Sequence, residues 1–191
     1  MPSRRRRALP MSKLFELYEV DKALPLVGAG ANGEVSSVRR KADGRQLALK
    51  TMKVLSAQSD DPGSAISDLL RDVGMQASVE HPNVCRVVDV FVDRTGSGAV
   101  SFTMPFCTGG SLADLIGREP DRGLDEATIV RLARGMLAAL ACCHRHGICH
   151  RDVKLDNFVL PFARPDAQPL VQLMVKPRTT SPAESEDRRV L

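Results

Sequence analysis

The sequence predicts an α+β protein in which a strand-rich first half is followed by a helical second half. Two observations carry this. From about residue 20 to residue 105, apolar positions mostly alternate between glycine- and aspartate-containing turns, the period of strands. Beyond Gly109-Gly110 they recur at steps of three and four, the period of helices. With 191 residues, 43% of them hydrophobic, the chain has the material for one domain with a filled core.

In order, Arg4, Arg5, Arg6 and Arg7 equal the formal net charge of +4 by themselves. Blocks of like charge resist folding, so residues 1–13 are expected to be a disordered basic tail, with a targeting tag or phosphate-contacting arm as the functional alternative. Val20, Leu24 and Leu26 keep one face of a first strand, where Pro25 marks an edge position. After a glycine cluster, Val35 and Val38 resume. Ala42-Asp43-Gly44 supplies turn chemistry, and Leu47, Leu49 and Thr51 then alternate with Ala48, Lys50 and Met52. Residues 56–65, rich in Ser, Asp, Pro and Gly, read as a loop. Ile66, Leu69, Leu70, Val73 and Ala77 follow at helical spacing, although Gly74 costs roughly 1 kcal/mol relative to alanine.

Val84, Val87, Val88 and Val90 open another strand running to Asp93, and Val100, Phe102 and Met104 alternate on the next, after a turn at Gly96 and Gly98. Leu112, Leu115 and Ile116 begin the helical part. A longer helix carries Ile129, Leu132, Ala133, Met136, Leu137 and Leu140, capped by Asp125 and ended by Gly147. Leu170–Met174 reads as a short strand, and 176–191, with mixed charge and no apolar periodicity, as a disordered tail.

No apolar run approaches the ~20 residues that cross a bilayer, and the N-terminus has no secretion-signal core, so a soluble protein of cytosol or nucleus, without a membrane partner, is expected. Cys85, Cys107, Cys142, Cys143 and Cys149 form no paired Cys-x-x-Cys motif. Reduced core thiols are expected rather than a zinc site or a secreted disulfide framework. No aromatic residues interleave with the arginine run, so nucleic acid is not an expected partner.

Three stretches carry chemistry. Val27-Gly28-Ala29-Gly30-Ala31-Asn32-Gly33-Glu34-Val35 contains Gly-x-Gly-x-x-Gly, whose bare backbone N–H groups can approach anionic oxygens. Dinucleotide-binding folds share the spacing but run the third glycine into a helix, whereas here a hairpin follows. Lys50 shares a strand face with Ala48, where a small residue leaves room for a flat ring and the ammonium reaches phosphates beyond it; taken alone, a lysine ending a strand reads first as simply solvated. In His150-Arg151-Asp152-Val153-Lys154-Leu155-Asp156-Asn157, an acid, a lysine and an asparagine share one short loop. That spacing can orient a hydroxyl, cover a phosphate and hold a metal ion, although a charged surface turn has the same appearance.

With Gly28, Gly30, Gly33, Val35, Lys50, His81-Pro82-Asn83, Gly109-Gly110 and the 150–157 loop in this order, the chain resembles the eukaryotic protein kinase family over about residues 18–175. The lysine two places after the acid resembles the serine/threonine type. The resemblance implies a two-lobe protein-kinase-like fold, with a β-rich N-lobe and hinge over 14–107 and a helical C-lobe with its catalytic loop over 108–175. It implies that Val27, Gly28, Gly30, Gly33 and Val35 cover ATP and that Lys50 binds its α- and β-phosphates. Asp152 would orient the hydroxyl of a serine or threonine in a protein substrate, Lys154 would neutralise the transferred phosphoryl group, and Asn157 would hold Mg2+. Met104 would stand as gatekeeper. Pro105 and Cys107 would meet adenine through carbonyl and amide, and Ala48, Val35 and Val159 would sandwich it.

The sequence also departs from that family. Asp72 stands where a glutamate pairs with the strand lysine, and Gln76 where an apolar residue is usual. Val175-Lys176-Pro177 occupies the place of Asp-Phe-Gly, the second metal ligand. Only 34 residues follow Asn157, so the C-lobe is expected to be incomplete and fragile, as in a truncated isoform, a retained intron or an erroneous gene model. The implied function is therefore a serine/threonine kinase domain, truncated and inactive or weakly active. The alternatives are an ATP-binding or docking module without phosphotransfer and a non-functional fragment.

Overall fold

The turn at Asp43-Gly44 sets the register of the first half. The Arg40 guanidinium grips the Asp43 carboxylate at 2.9 and 2.6 Å, and Gly44 adopts φ 68°. This hydrogen bonding, from Arg40 first and the Arg45 backbone second, holds the Asp43 carboxyl down at about 2. In the computed structural model, which describes residues 7–20, 28–30, 33–53, 62–93, 98–118, 123–162 and 171–174, the flanking strands are β4 (Gly33–Arg40) and β5 (Gln46–Lys53). They pair antiparallel, with Val38 opposite Leu47 and Val35 opposite Lys50.

The sheet grows on both sides of this hairpin. β5 pairs with β7 (Ala99–Pro105), β7 with β6 (Val90–Val92), and β6 in parallel with β1 (Leu9–Pro10). On the other side, β4 takes β2 (Tyr18–Val20) along one half and β3 (Gly28–Gly30) along the other. The alternation in β5 sorts its side chains as expected. Ala48 and Met52 enter a core with Val73, Val87, Val100, Phe102 and Met104, beneath α2 (Pro62–Ala77). Leu47 and Leu49 enter one with Leu14, Tyr18, Val38 and Phe91, beneath α1 (Ser12–Leu17). Each of the Val, Leu, Phe and Met side chains contributes about 1.5–3 kcal/mol on burial.

Several elements differ from expectation. The basic tail expected over 1–13 ends early: Leu9–Pro10 forms β1 and Ser12 opens α1, whose Leu14 is buried, so apolar contact outweighs the charge of the preceding arginines. Helix α2 begins at Pro62, four residues before Ile66, because the N–H that proline lacks would have no intrahelical partner in the first turn. The strand expected from Val84 starts only at Val90. Val84, Cys85 and Val87 are buried instead in irregular chain, where Val84 bridges to Leu173 and the Val88 N–H donates to the Thr103 carbonyl. Leu24, Pro25, Leu26, Val27 and the 176–191 segment lie outside the described residues.

In the second half, α3 (Leu112–Gly117) starts with a capping box in which Ser111 and Asp114 satisfy each other's backbone N–H. α4 (Glu126–Arg145) starts with the Asp125 carboxylate accepting from the Thr128 N–H at 2.9 Å, and Gly147 follows it at φ 70°. β8 (Phe158–Val159) and β9 (Gln172–Leu173) pair antiparallel. Leu132, Ala139, Cys142 and Cys143 of α4 join Val84, Leu112, Phe158 and Leu173 in one core. By length and mean hydropathy alone α4 is long and apolar enough to cross a membrane, although no unbroken apolar run in the sequence has that length. The same helix carries Gly135 because a Cβ there would lie 2.7 Å from Val171 Cγ1 and 2.9 Å from Asn83 Nδ2. That clearance lets the Asn83 amide donate to the Val171 carbonyl at 2.8 Å.

Candidate active site

The 150–157 loop is built around a buried histidine and a buried asparagine. His150, 6% exposed, receives the Asp152 N–H on Nδ1 at 3.3 Å and donates from Nε2 to the Met174 carbonyl at 2.8 Å. Between them Arg151 adopts φ 59°, a left-handed conformation that costs a non-glycine residue about 1–3 kcal/mol. That twist brings the Asp152 N–H back over the imidazole. Asn157, 2% exposed, closes the loop from the other end: its Nδ2 donates to the Asp152 carbonyl at 2.6 Å and to the carboxylate Oδ2 at 3.1 Å. A single 3₁₀ turn, Leu155–Asn157, places it there, with the Asn157 N–H donating to the Lys154 carbonyl at 3.0 Å.

Asp152 and Lys154 face outward. Their side chains are 43% and 52% exposed, with Lys154 Nζ 3.9 Å from Asp152 Oδ1. An exposed pair at that distance contributes at most about 1 kcal/mol to stability. The loop thus presents a carboxylate with a fixed backbone beside a cation on a longer stem.

The strand side supplies the other residues the sequence singled out. Gly28 and Gly30 of β3 lie opposite Val35 and Gly33 of β4. Gly33 is obligatory: its φ is 103°, and a Cβ would sit 2.2 Å from the Thr51 carbonyl oxygen. Lys50, half-buried, lies between Val35 and Phe102 in register. Ala48 lies opposite Met104 on β7, and both are buried. Val27 lies outside the described residues.

From Pro105, the last residue of β7, the chain passes through Cys107 toward the second half and is fastened to the end of β8. The Gly109 N–H donates to the Leu160 carbonyl at 3.0 Å, the Leu160 N–H donates to the Gly110 carbonyl at 2.9 Å, and Ser111 bridges to Val159. Gly109 permits this approach, since a Cβ would lie 2.7 Å from the Leu160 oxygen. Val159 is thereby held, buried, beside the chain that leaves Cys107.

Met174 joins the two sides. Its side chain packs on the cluster containing Ala48 and Met104, as does that of Val35. Its backbone takes the His150 hydrogen bond and donates from its N–H to the Asn157 carbonyl at 2.8 Å. Sequence reasoning assigned His150 and Met174 no role. The histidine opens the motif and so left a signal, whereas the methionine acts through backbone atoms and left none. Of the two departures on α2, Asp72 is half-buried and Gln76 is 2% exposed, its Oε1 without a hydrogen-bond partner among the described residues.

A family model described as Protein kinase domain matches residues 22–168, most of the chain. The chain belongs to the protein kinase family. Among curated proteins it is similar to the serine/threonine-protein kinase Nek2 of Homo sapiens, 33% identical over 157 residues, which are 78% of this chain and 34% of that protein. It is also similar to two proteins of Oryza sativa subsp. japonica. One is CBL-interacting protein kinase 25, 30% identical over 79% of this chain and 28% of that protein. The other is calcium-dependent protein kinase 11, 31% identical over 85% of this chain and 26% of that protein. The kinase domain described here spans about a third of the length of these relatives or less.

Proposed function

We propose that this kinase domain binds ATP between the glycine hairpin and the 150–157 loop and transfers its γ-phosphate to a serine or threonine hydroxyl of a protein. The observation that carries the reading is the double tether of Asn157 to Asp152, which fixes an exposed carboxylate while leaving Lys154 beside it. In this reading Asp152 accepts or orients the proton of the attacking hydroxyl, and Lys154 offsets the negative charge that spreads over the transferring phosphoryl. Lys50 contacts the α- and β-phosphates, and the adenine lies between Ala48, Val35 and Val159 with Met104 behind it. The Pro105 carbonyl and Cys107 amide meet the ring edge; a proline serves there because only its carbonyl is used.

For Mg2+, the described residues contain no group of three His, Cys, Asp or Glu side chains placed to hold a metal. The loop offers the amide oxygen of Asn157, a hard donor. That fits an ion carried in on nucleotide phosphates better than a dedicated protein cage. When bound, such an ion neutralises charge on the phosphate oxygens.

A second reading, nucleotide binding without transfer, is favoured by Val175-Lys176-Pro177, where the family places its second magnesium ligand. One pair of measurements separates the two. Transfer from radiolabelled ATP to a protein acceptor, abolished in Asp152→Asn, supports the kinase. A nucleotide-induced rise in melting temperature without transfer supports the binding module. Neither signal from a cooperatively folded protein rejects both.

A further inference from the structure

The sheet face opposite Ala48 and Lys50 is covered over part of its length. Helix α1 has six residues and so spans about 9 Å, whereas the eight residues of β5 span about 26 Å. Leu14 of the helix packs with Val38, Leu47 and Leu49. Beside that contact a cavity of about 280 Å³ is left between helix and strands, at the small end of ligand sites. Met11, Leu14 and Phe15 wall it on the helix side, and Val38 and Leu49 on the sheet side. Along β5 the lining then turns polar, from Leu49 to Thr51 and Lys53, with Ser101 of β7 opposite Thr51. The Thr51 and Ser101 hydroxyls hydrogen-bond each other at 2.9 Å, which uses one of their two protons and leaves the other free to donate. Lys53 is exposed and forms no ion pair among the described residues. No carboxylate lines the cavity, and Glu34, opposite Thr51 on β4, stands outside it. Apolar walls that lead to a hydroxyl proton and an ammonium complement an aliphatic chain ending in an anion.

We propose that this cavity binds a medium-chain fatty acid anion, its alkyl chain against Leu14, Val38 and Leu49 and its carboxylate held by Lys53 and the hydroxyl pair of Thr51 and Ser101. From Leu49 to Lys53 the strand advances about 13 Å. An extended chain of about ten carbons covers that distance. Phe15, 64% exposed at the rim, is bare apolar surface that such a chain would cover. Leu49, Thr51 and Lys53 alternate along β5 with Ala48, Lys50 and Met52. The site therefore lies across the sheet from the residues assigned to ATP, and it does not rest on that reading.

The test titrates the full 191-residue chain with sodium decanoate, kept below the concentration at which it forms micelles, in an isothermal calorimeter. The expected result is saturation at one decanoate per chain. Octanoate, two methylenes shorter, should bind roughly tenfold more weakly. Octanol has the same chain length as octanoate without the charge and should bind more weakly still. That advantage of the anion should disappear in Lys53→Met, which keeps the apolar stem and loses the ammonium. Ser36→Leu, which fills the cavity from β4, should abolish binding of all three. Lys53→Met, at an exposed position, keeps the test valid if the filled variant fails to fold. Absence of saturable binding, equal affinity for decanoate and octanoate, or undiminished decanoate affinity in Lys53→Met would each overturn the proposal. So would a dimer in sedimentation that excludes decanoate, since the cavity would then belong to a second copy. A fluorescent ATP analogue is titrated last into the decanoate-bound protein. Simultaneous binding supports two sites on opposite faces, and displacement of decanoate rejects the cavity as its site. Decanoate binding with no analogue binding rejects the ATP reading alone.

Discussion

Asn157 holds Asp152 by two hydrogen bonds from one nitrogen, at 2.6 Å to its carbonyl and 3.1 Å to its carboxylate. Asn157→Ala removes both and leaves the Asp152 carbonyl without that donor, so stability should fall by about 1–3 kcal/mol in urea unfolding. Asn157→Asp places a second carboxylate against the first. Its additional loss should be largest at neutral pH and shrink as pH falls and the pair takes up a proton. A penalty for Asn157→Asp that is independent of pH would show that the carboxylate contact is immaterial.

Gly33 and Gly44 both have positive φ, at 103° and 68°, but only Gly33 has a neighbour, the Thr51 oxygen, where a Cβ would go. Gly44→Ala should cost about 1–2 kcal/mol, the conformational penalty alone. Gly33→Ala should cost more, because the β4–β5 hairpin must also open, and it should lower nucleotide affinity. Equal melting temperatures for the two variants would contradict the clash.

Gln76 puts an amide oxygen in the core beneath α2 without a partner among the described residues. Leaving such a group buried costs about 1–3 kcal/mol, and an apolar residue of similar shape removes that cost. Gln76→Met should therefore raise the urea midpoint with its slope unchanged. A fall would mean that the amide is satisfied and contributes to packing.

Tyr18 donates to the Asp89 carboxylate and lies 3.4 Å from the Thr103 hydroxyl. Burial first, then the bond to Asp89, pushes its phenol up to about 12. Below pH ~10 the folded and unfolded chains both keep this proton, so the group adds no pH dependence. Between about 10 and 12 only the unfolded chain releases it, and stability should fall by roughly 2 kcal/mol across that window. Tyr18→Phe should lack this component, which calorimetry in alkaline buffers can measure; parallel profiles for the two proteins would remove the Asp89 contact from the account.

Individual strands were legible where side chains alternate cleanly. Leu47 and Leu49 against Ala48 and Met52 predicted both faces of β5, and Asp43-Gly44 predicted its turn. The helices over Leu112 and Leu132 were legible from their period, and the second also from its cap at Asp125 and its end at Gly147. β1 was hidden because Leu9 and Pro10 are too short a run to show a period beside four arginines. The irregular course through Val84 and Val87 was hidden because burial by neighbours from distant sequence imitates strand alternation. At the site, side chains with chemistry were visible as a motif, while backbone anchors such as the Met174 carbonyl carry no residue-specific trace.

The loop that presents Asp152 is moored to peptide groups of residue 174. Any amino acid with an N–H offers those same two groups, so the two hydrogen bonds do not depend on the side chain, whose packing on the Ala48 and Met104 cluster is a separate contribution. Proline alone severs one line, by removing the hydrogen given to the Asn157 carbonyl. The main-chain bonds at 174 and the side-chain bonds of Asn157 thus belong to one device, half of it written in the side chains and half in the main chain.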